Sequence, residues 1–240
     1  MLPLELNAVS FAADGTAIIR DLSARIEAGP RTVILGPNGA GKSVLMRLCH
    51  GLLLPTAGRI VWHGAVNGAK SVDMRRRQAM VFQRPVMLRR SALANVIYGL
   101  KLAGKSRSEC ELRAMDVLEV VGLAQHAARP ARILSGGEQQ KLALARAWAL
   151  GPDVLFLDEP TANLDPAATQ EIESIINAIH ASGTKIIMTT HNLGQARRLG
   201  DEILFMSNGR LMEHTPIGRF FKQPSSAEAA AFIKGEIPWQ

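Results

Sequence analysis

The run Gly36-Pro37-Asn38-Gly39-Ala40-Gly41-Lys42-Ser43 constrains what this chain can fold into more than any other stretch. Before it lies Arg31 to Leu35, a short, mostly β-branched apolar segment of the kind that forms a strand buried on both faces. After it, Lys42 to His50 has helical character. Glycines let the intervening loop curl so that backbone N–H groups point inward, and the helix adds its positive N-terminal end. The spacing G-x-x-x-x-G-K-[ST] suits a polyphosphate, with Lys42 reaching the β- and γ-phosphates and the Ser43 hydroxyl ligating Mg2+. The bland alternative, an ordinary glycine turn, does not explain why a strand and a helix bracket it.

A second element is Val154-Leu155-Phe156-Leu157-Asp158-Glu159, a buried strand ending in two acids. Carboxylates at that end lie at the sheet edge where α/β proteins bind ligands. Asp158 would hold Mg2+, directly or through water, and Glu159 would orient and deprotonate an attacking water. Alone, two acids after a strand could equally be a strand-end turn; beside the phosphate loop they read as chemistry.

The remaining pattern is that of an α/β chain. Leu4 to Phe11 alternates loosely as a strand, Asp14-Gly15 gives a turn, and Ala17-Ile18-Ile19 begins another strand. Pro55-Thr56-Ala57-Gly58 reads as a turn before a strand at Arg59 to His63. Residues 84–135 change character: they are rich in Leu, Ala, Arg and Glu, with Leu112, Met115, Leu118 and Val121 at helical spacing, and predict a mostly helical insertion. Ala167 to Ala181 is a helix between the strands Val154 to Leu157 and Lys185 to Thr190, so parallel strands joined by crossovers are expected. Asn208-Gly209 between Ile203 to Met206 and Arg210 to Met212 is a hairpin signal, and Ser226 to Lys234 is a final helix stopped by Gly235.

Composition narrows the classes. At 240 residues, with 47% hydrophobic and 20% charged positions, the chain suits one α/β domain with a smaller insert. No apolar run reaches the ~18 residues of a membrane-spanning helix, and Met1 to Leu6 lacks the features of a signal peptide, so a cytosolic location is expected. Cys49 and Cys110 are far apart with no C-x-x-C spacing, which suggests buried small hydrophobes rather than a metal site or a disulfide. The net charge of +7 calls for anionic partners, but the clusters Arg75-Arg76-Arg77, Arg89-Arg90 and Arg197-Arg198 are short and not interleaved with stacking aromatics. A solvated basic surface explains them better than a nucleic-acid groove.

Leu134-Ser135-Gly136-Gly137-Glu138-Gln139 resembles the signature motif of ATP-binding-cassette (ABC) ATPases. Ser135 and the two glycines precede a good helix former, Glu138 to Leu150, and would offer N–H groups and a hydroxyl to a second phosphate. The resemblance covers nearly the whole chain. It implies a P-loop NTPase core with a mixed, mostly parallel sheet, an N-terminal antiparallel β subdomain and an inserted α-helical subdomain at about 84–135, all within a single nucleotide-binding domain over 1–240. It also implies that the signature completes the ATP site of a second copy, giving a head-to-tail dimer. By the same resemblance, Gln83 bridges metal, water and membrane partner, His191 contacts the γ-phosphate, and Ala162-Asn163-Leu164-Asp165 joins the two sites. ATP and Mg2+ follow as ligands.

Two positions depart from the family pattern. Many members stack an aromatic on adenine after the first strand; Ala13 stands there, with Phe11 two residues earlier, able either to stack or to fill the core. The loop reads Lys42-Ser43-Val44 where Lys-Ser-Thr is commoner, leaving the metal hydroxyl intact. A cassette without a fused membrane segment is similar to bacterial importers with separate permease and substrate-binding subunits, peripheral on the cytoplasmic face of the membrane. The run of motifs and the ending Gly235-Glu236-Ile237-Pro238-Trp239 resemble the oxyanion group, tungstate uptake cassettes above all, then molybdate, sulfate and phosphate. In this reading Arg84 to Leu100 forms part of a groove for a cytoplasmic helix of the permease. A soluble ABC-type ATPase acting on nucleic acid or ribosomes is the alternative; that class usually carries tandem cassettes or long coiled-coil inserts, and neither is read in this sequence.

Overall fold

The structure is a computed structural model that describes residues 1–63, 65–66 and 76–236. Arg75 and the ending Ile237-Pro238-Trp239, both used above, lie outside the described residues. In chain order the described strands are β1 (Leu4–Ala13), β2 (Thr16–Ile26), β3 (Thr32–Leu35), β4 (Ala57–Trp62), β5 (Ala65–Val66), β6 (Gln78–Val81), β7 (Val154–Asp158), β8 (Lys185–Thr190), β9 (Glu202–Ser207) and β10 (Arg210–Pro216). The helices are α1 (Lys42–His50), α2 (Ala92–Leu102), α3 (Arg107–Val120), α4 (Gly136–Ala149), α5 (Pro166–Ala181), α6 (Leu193–Leu199), α7 (Ile217–Lys222) and α8 (Ala227–Lys234). They fall into two compact units, Met1–Val72 with Lys185–Gln240, and Asp73–Thr184.

The first unit carries an antiparallel sheet in the order β2-β1-β4-β5. The β1–β2 turn puts Asp14 at φ 48° and Gly15 at φ 75°, the left-handed pair that a tight hairpin requires. Leu4, Leu6, Val9, Ile26 and Trp62 fill its buried face. The expected turn at residues 55–58 is shorter than the sequence implies. Ala57 and Gly58 already belong to β4, and Gly58 packs its bare Cα against the carbonyl of Ala8, where the β1–β4 register shifts. A Pro-Thr-Ala-Gly string signals a turn, but a glycine opposite a bulge carries the same signature.

In the same unit β3 pairs in parallel with both β8 and β9, and β10 returns antiparallel to β9 across Asn208-Gly209. Every residue of β3 and β8 is buried, as the continuous apolar runs predict. Phe205 of β9 meets Phe220 of α7 and Phe232 of α8, with ring centroids 5.5 and 5.3 Å apart, each contact contributing about 0.5–1.5 kcal/mol. α8 is capped by Ser226, whose hydroxyl accepts from Ala229 N, and ends at left-handed Gly235, as expected. Both cysteines of the chain are buried.

The second unit holds β6 and β7, paired in parallel with Val81 opposite Leu157, and the helices α2 to α5. Residues 84–135 form α2, α3 and two short 3-10 turns. The buried stripe of α3 is Cys110, Ala114, Val117 and Leu118, whereas Leu112 and Met115 face outward at 69% and 39% exposure. Steps of three residues fall about 60° short of a full helical turn, so a run of them drifts from one face to the other. Leu112 and Val121 therefore cannot share the core face. Buried Asn95 in α2 is satisfied locally, accepting from Leu88 N and donating to the carbonyls of Arg90 and Ser91.

Candidate functional site

In the first unit, the loop from Gly36 to Gly41 leaves β3 and enters α1. Gly41 caps the helix at φ 94°, and a Cβ there would lie 2.8 Å from Ile19 Cδ1 of β2. Only glycine meets both demands. Pro37 and Asn38 occupy the outer turn, Ala40 N donates to Pro37 O, and Gly39 adopts φ 76°. Lys42 is buried and folds back over the loop, its Nζ donating to the carbonyls of Gly36 and Pro37 at 2.9 Å each. An ammonium held among backbone dipoles is positioned for an anion before one arrives. Ser43 follows at the first turn of α1, half-buried. The β9–β10 turn braces this loop: Gly209 N donates to Ala40 O (3.2 Å), and Gly209 O accepts from Arg20 N (2.9 Å).

His191 lies directly after β8, half-buried, and Asn192 beside it caps α6 by accepting from Gln195 N. Phe11 on β1 is opposite Ile19 and half-buried, so it partly fills the core and partly faces outward.

In the second unit, Asp158 ends β7 and is buried, while Glu159 turns out of the strand at φ 45°. A non-glycine residue in that region is strained, and such strain concentrates at functional positions. The chain then turns through Ala162-Asn163-Leu164, with Asn163 at φ 62°, and Asp165 caps α5 by accepting from Ala168 N at 2.9 Å. Gln83 is exposed just after β6.

The signature residues form the start of α4. Ser135 is its N-cap in a reciprocal capping box: Ser135 Oγ accepts from Glu138 N (3.3 Å), and Glu138 Oε2 accepts from Ser135 N (2.7 Å). Backbone hydrogen bonds from Ser135 hold the Glu138 carboxyl below its ordinary range. A helix leaves its first N–H groups without intrahelical acceptors. The box engages those of Ser135 and Glu138, and Gly136, exposed, and Gly137, half-buried, lie between them at the tip. Packing sets where that tip stands, since a Cβ on Gly137 would come within 3.1 Å of Ala168 Cβ. Further along α4, Arg146 donates to Val86 O at 2.7 Å, and Arg132, in the short turn before α4, donates to Met87 O. The loop after Gln83 is thereby tied to the helix that begins at the signature and to the turn before it.

The structure thus places the loop residues Gly36 to Ser43 together in one unit, and the two acids with the signature in the other. Nothing in the local sequence announces the Gly209 brace, the left-handed Glu159, or the close approach of Ala168 to Gly137. Ser43 in the first unit, and Asp158 and Gln83 in the second, each carry a hard oxygen of the kind Mg2+ takes. Among the described residues there is no cluster of three or more His, Cys, Asp and Glu placed to hold a metal ion.

The family model for the ABC transporter matches residues 19–162. The chain belongs to the ABC transporter family. It is 37% identical to the phosphate import ATP-binding protein PstB 2 of Natronomonas pharaonis, over 98% of this chain and 87% of that protein. It is 36% identical to the methionine import ATP-binding protein MetN of Caulobacter vibrioides, over 94% and 70%. The tungstate uptake system ATP-binding protein TupC of Peptoclostridium acidaminophilum is 37% identical, over 83% and 92%. Among solved structures, cbiO1 from Clostridium perfringens, part of the complex cbiONQ, superposes with a TM-score of 0.83 at 28% identity over 92% and 90% of the two chains. A dimeric ATP-binding cassette in a post-hydrolysis state bound to ADP and Pi gives 0.79 at 26% identity over 89% and 98%. The P-loop NTPase fold expected from the motifs is therefore correct, and the chain is an ABC ATPase that uses ATP with Mg2+. No helix among the described residues is long and apolar enough to cross a membrane.

Proposed function

We propose that this ABC ATPase is the motor subunit of an importer, coupling ATP binding and hydrolysis to movement of an oxyanion such as tungstate through a separate permease on whose cytoplasmic face it sits. The observation that carries the motor reading is the capped N-terminus of α4, a second helix start preceded or opened by glycines in a chain that already has one at α1, and both are of the kind that binds phosphate. Two such ends in one chain make sense when two copies meet head to tail, each completing the other's site. The dimeric ADP-bound relative supports that arrangement.

In this reading Lys42 and the loop N–H groups hold the β- and γ-phosphates, and Ser43, Asp158 and Gln83 hold Mg2+. When bound, the metal neutralises charge on the phosphates. Glu159 takes the proton of the attacking water, and His191 steadies the γ-phosphate as it leaves. Ser135, Gly136 and Gly137 cap the same phosphate from the second copy. ATP favours the closed pair and its hydrolysis releases it.

The lever is assigned to residues 84–135, and Arg84 to Leu100 to the groove that receives a permease helix. Support comes from Phe82, Val86 and Tyr98, which present apolar surface beside that loop, and from Arg146, which ties it to α4. The oxyanion assignment rests on the phosphate and tungstate relatives; the methionine relative, at nearly equal identity, represents the competing cargo class. Reconstitution with the co-purified permease and substrate-binding protein tests it. Tungstate should stimulate ATP turnover and methionine should not; the reverse result would replace the cargo while leaving the motor in place.

A further inference from the structure

Next to the signature lies a chain of polar contacts that the roles above do not use. Arg129 Nη1 approaches His126 Nδ1 at 3.3 Å, and His126 Nε2 approaches Glu138 Oε1 at 3.4 Å. The other oxygen of Glu138 holds Ser135 N–H. A guanidinium only donates, so His126 Nδ1 must be the acceptor in the first contact. The neutral imidazole then carries its proton on Nε2, the nitrogen 3.4 Å from Glu138 Oε1, at ion-pair distance rather than in a hydrogen bond. Three side chains thus pass orientation along one line, from guanidinium to imidazole to carboxylate to the cap of α4. His126 and Glu138 are each about three-quarters buried, with side-chain exposures of 24% and 23%. Arg129 is anchored from both sides of its own backbone, its N–H on His126 O and its carbonyl accepting from Ala92 N at the start of α2.

The geometry points to His126 as a positioning residue for the signature: it holds the Glu138 carboxylate in the rotamer that closes the capping box, and so sets where Gly136 and Gly137 present their N–H groups. Without it, Glu138 retains Ser135 N–H as one partner but has lost the restraint on its outer oxygen. The side chain then samples other rotamers, and the first turn of α4 loosens with it. This proposal rests on the reading of the signature as a phosphate cap for a second copy. His126 itself touches neither nucleotide nor metal in that reading.

The test uses the full chain with Glu159→Gln, which should accumulate an ATP-bound dimer. ATP-dependent dimerisation and fluorescent-ATP binding are measured with His126 intact, with His126→Leu and with His126→Gln. Glutamine can accept from Arg129 and donate to Glu138, whereas leucine fills space only. His126→Leu should bind nucleotide as before yet dimerise about fivefold more weakly, and His126→Gln should recover most of the loss. Retained nucleotide binding shows that the leucine variant is folded. Unchanged dimerisation in His126→Leu, or no recovery with glutamine, overturns the relay. Ser135→Arg is the control: if it abolishes the dimer while His126→Leu does not, only the relay is wrong, and if Ser135→Arg also dimerises normally, the signature reading fails and the relay with it.

Discussion

Gly209, 173 residues after Gly36, fastens the phosphate loop through its N–H to the carbonyl of Ala40, while its own carbonyl accepts from Arg20 of β2. A turn whose local duty is to reverse β9 into β10 thus also bridges the nucleotide loop and the antiparallel sheet. Gly209 sits at φ 75°, and a Cβ there would run into the carbonyl of Ile18. Gly209→Ala should therefore weaken ATP binding severalfold and lower stability by about 1–3 kcal/mol. Nucleotide titration together with urea unfolding checks this, and Gly15→Ala, a turn glycine with open space around it, serves as the comparison.

The approach of Ala168 to Gly137 makes a separate prediction. Extra methyl groups at Ala168 push on the tip of α4 from α5, while Lys141 and Glu171 hold the two helices together farther along through a 2.8 Å ion pair. Ala168→Val should lower ATP turnover about tenfold, as small misplacements of a catalytic group do, and leave nucleotide binding within about twofold, the expected result for overpacking remote from the loop. Steady-state kinetics and fluorescent-ATP titration separate the two effects.

Cys49 should be inert in the folded protein. It is fully buried in α1, burial pushes its thiol up to about 12, and its carbonyl receives the indole N–H of Trp62. Thiolate is the reactive form, so little is available at neutral pH. Titration with a thiol reagent at pH 8 should find neither Cys49 nor buried Cys110 before denaturant is added, and both afterwards.

Glu202 supplies a pH dependence. Burial pushes its carboxyl up, but hydrogen bonds from His214 and Thr32, with the charge of Lys185, outweigh burial and hold it below the ordinary range. Burial pushes the Lys185 ammonium down in turn, with Glu202 partly opposing it. A carboxyl lowered in the folded state contributes stability in full above its unfolded value near 4.3 and loses it as pH falls toward the folded value. Glu202→Gln should flatten that acid limb in a series of urea melts from pH 7 to 3, with the gap to wild type closing at the acid end.

Much of the fold is legible in the sequence itself. Lys42 to His50 and Lys185 to Thr190 are helix and strand over the expected spans, because a glycine loop and a continuous apolar run are local signals. Asn208-Gly209 and the Ser226 cap with its Gly235 stop are local too, and they hold. What stayed hidden depends on contacts distant in sequence. Gly209 reads as a hairpin residue until Ala40 is beside it, and Ala168 reads as one more helical alanine until Gly137 packs on it. Glu159 reads as the second of two acids, with nothing in its neighbours to announce a left-handed backbone. The triplet spacing of Leu112, Met115, Leu118 and Val121 is correctly helical but does not mark one buried face, since Leu112 and Met115 are exposed while Leu118 and Val121 are buried. α6 and α7 are too short to establish a periodicity of their own.

The central claim, a motor that closes by binding ATP between two copies and opens by hydrolysing it, is tested most directly by comparing the wild-type chain with Glu159→Gln. Phosphate release and oligomeric state are followed together in Mg2+ and ATP, with the permease present. The account predicts steady phosphate release for wild type, and for Glu159→Gln a stable ATP-bound dimer with turnover lowered at least about a hundredfold. Wild-type turnover in that variant, or ATP binding that leaves it monomeric, would contradict the account.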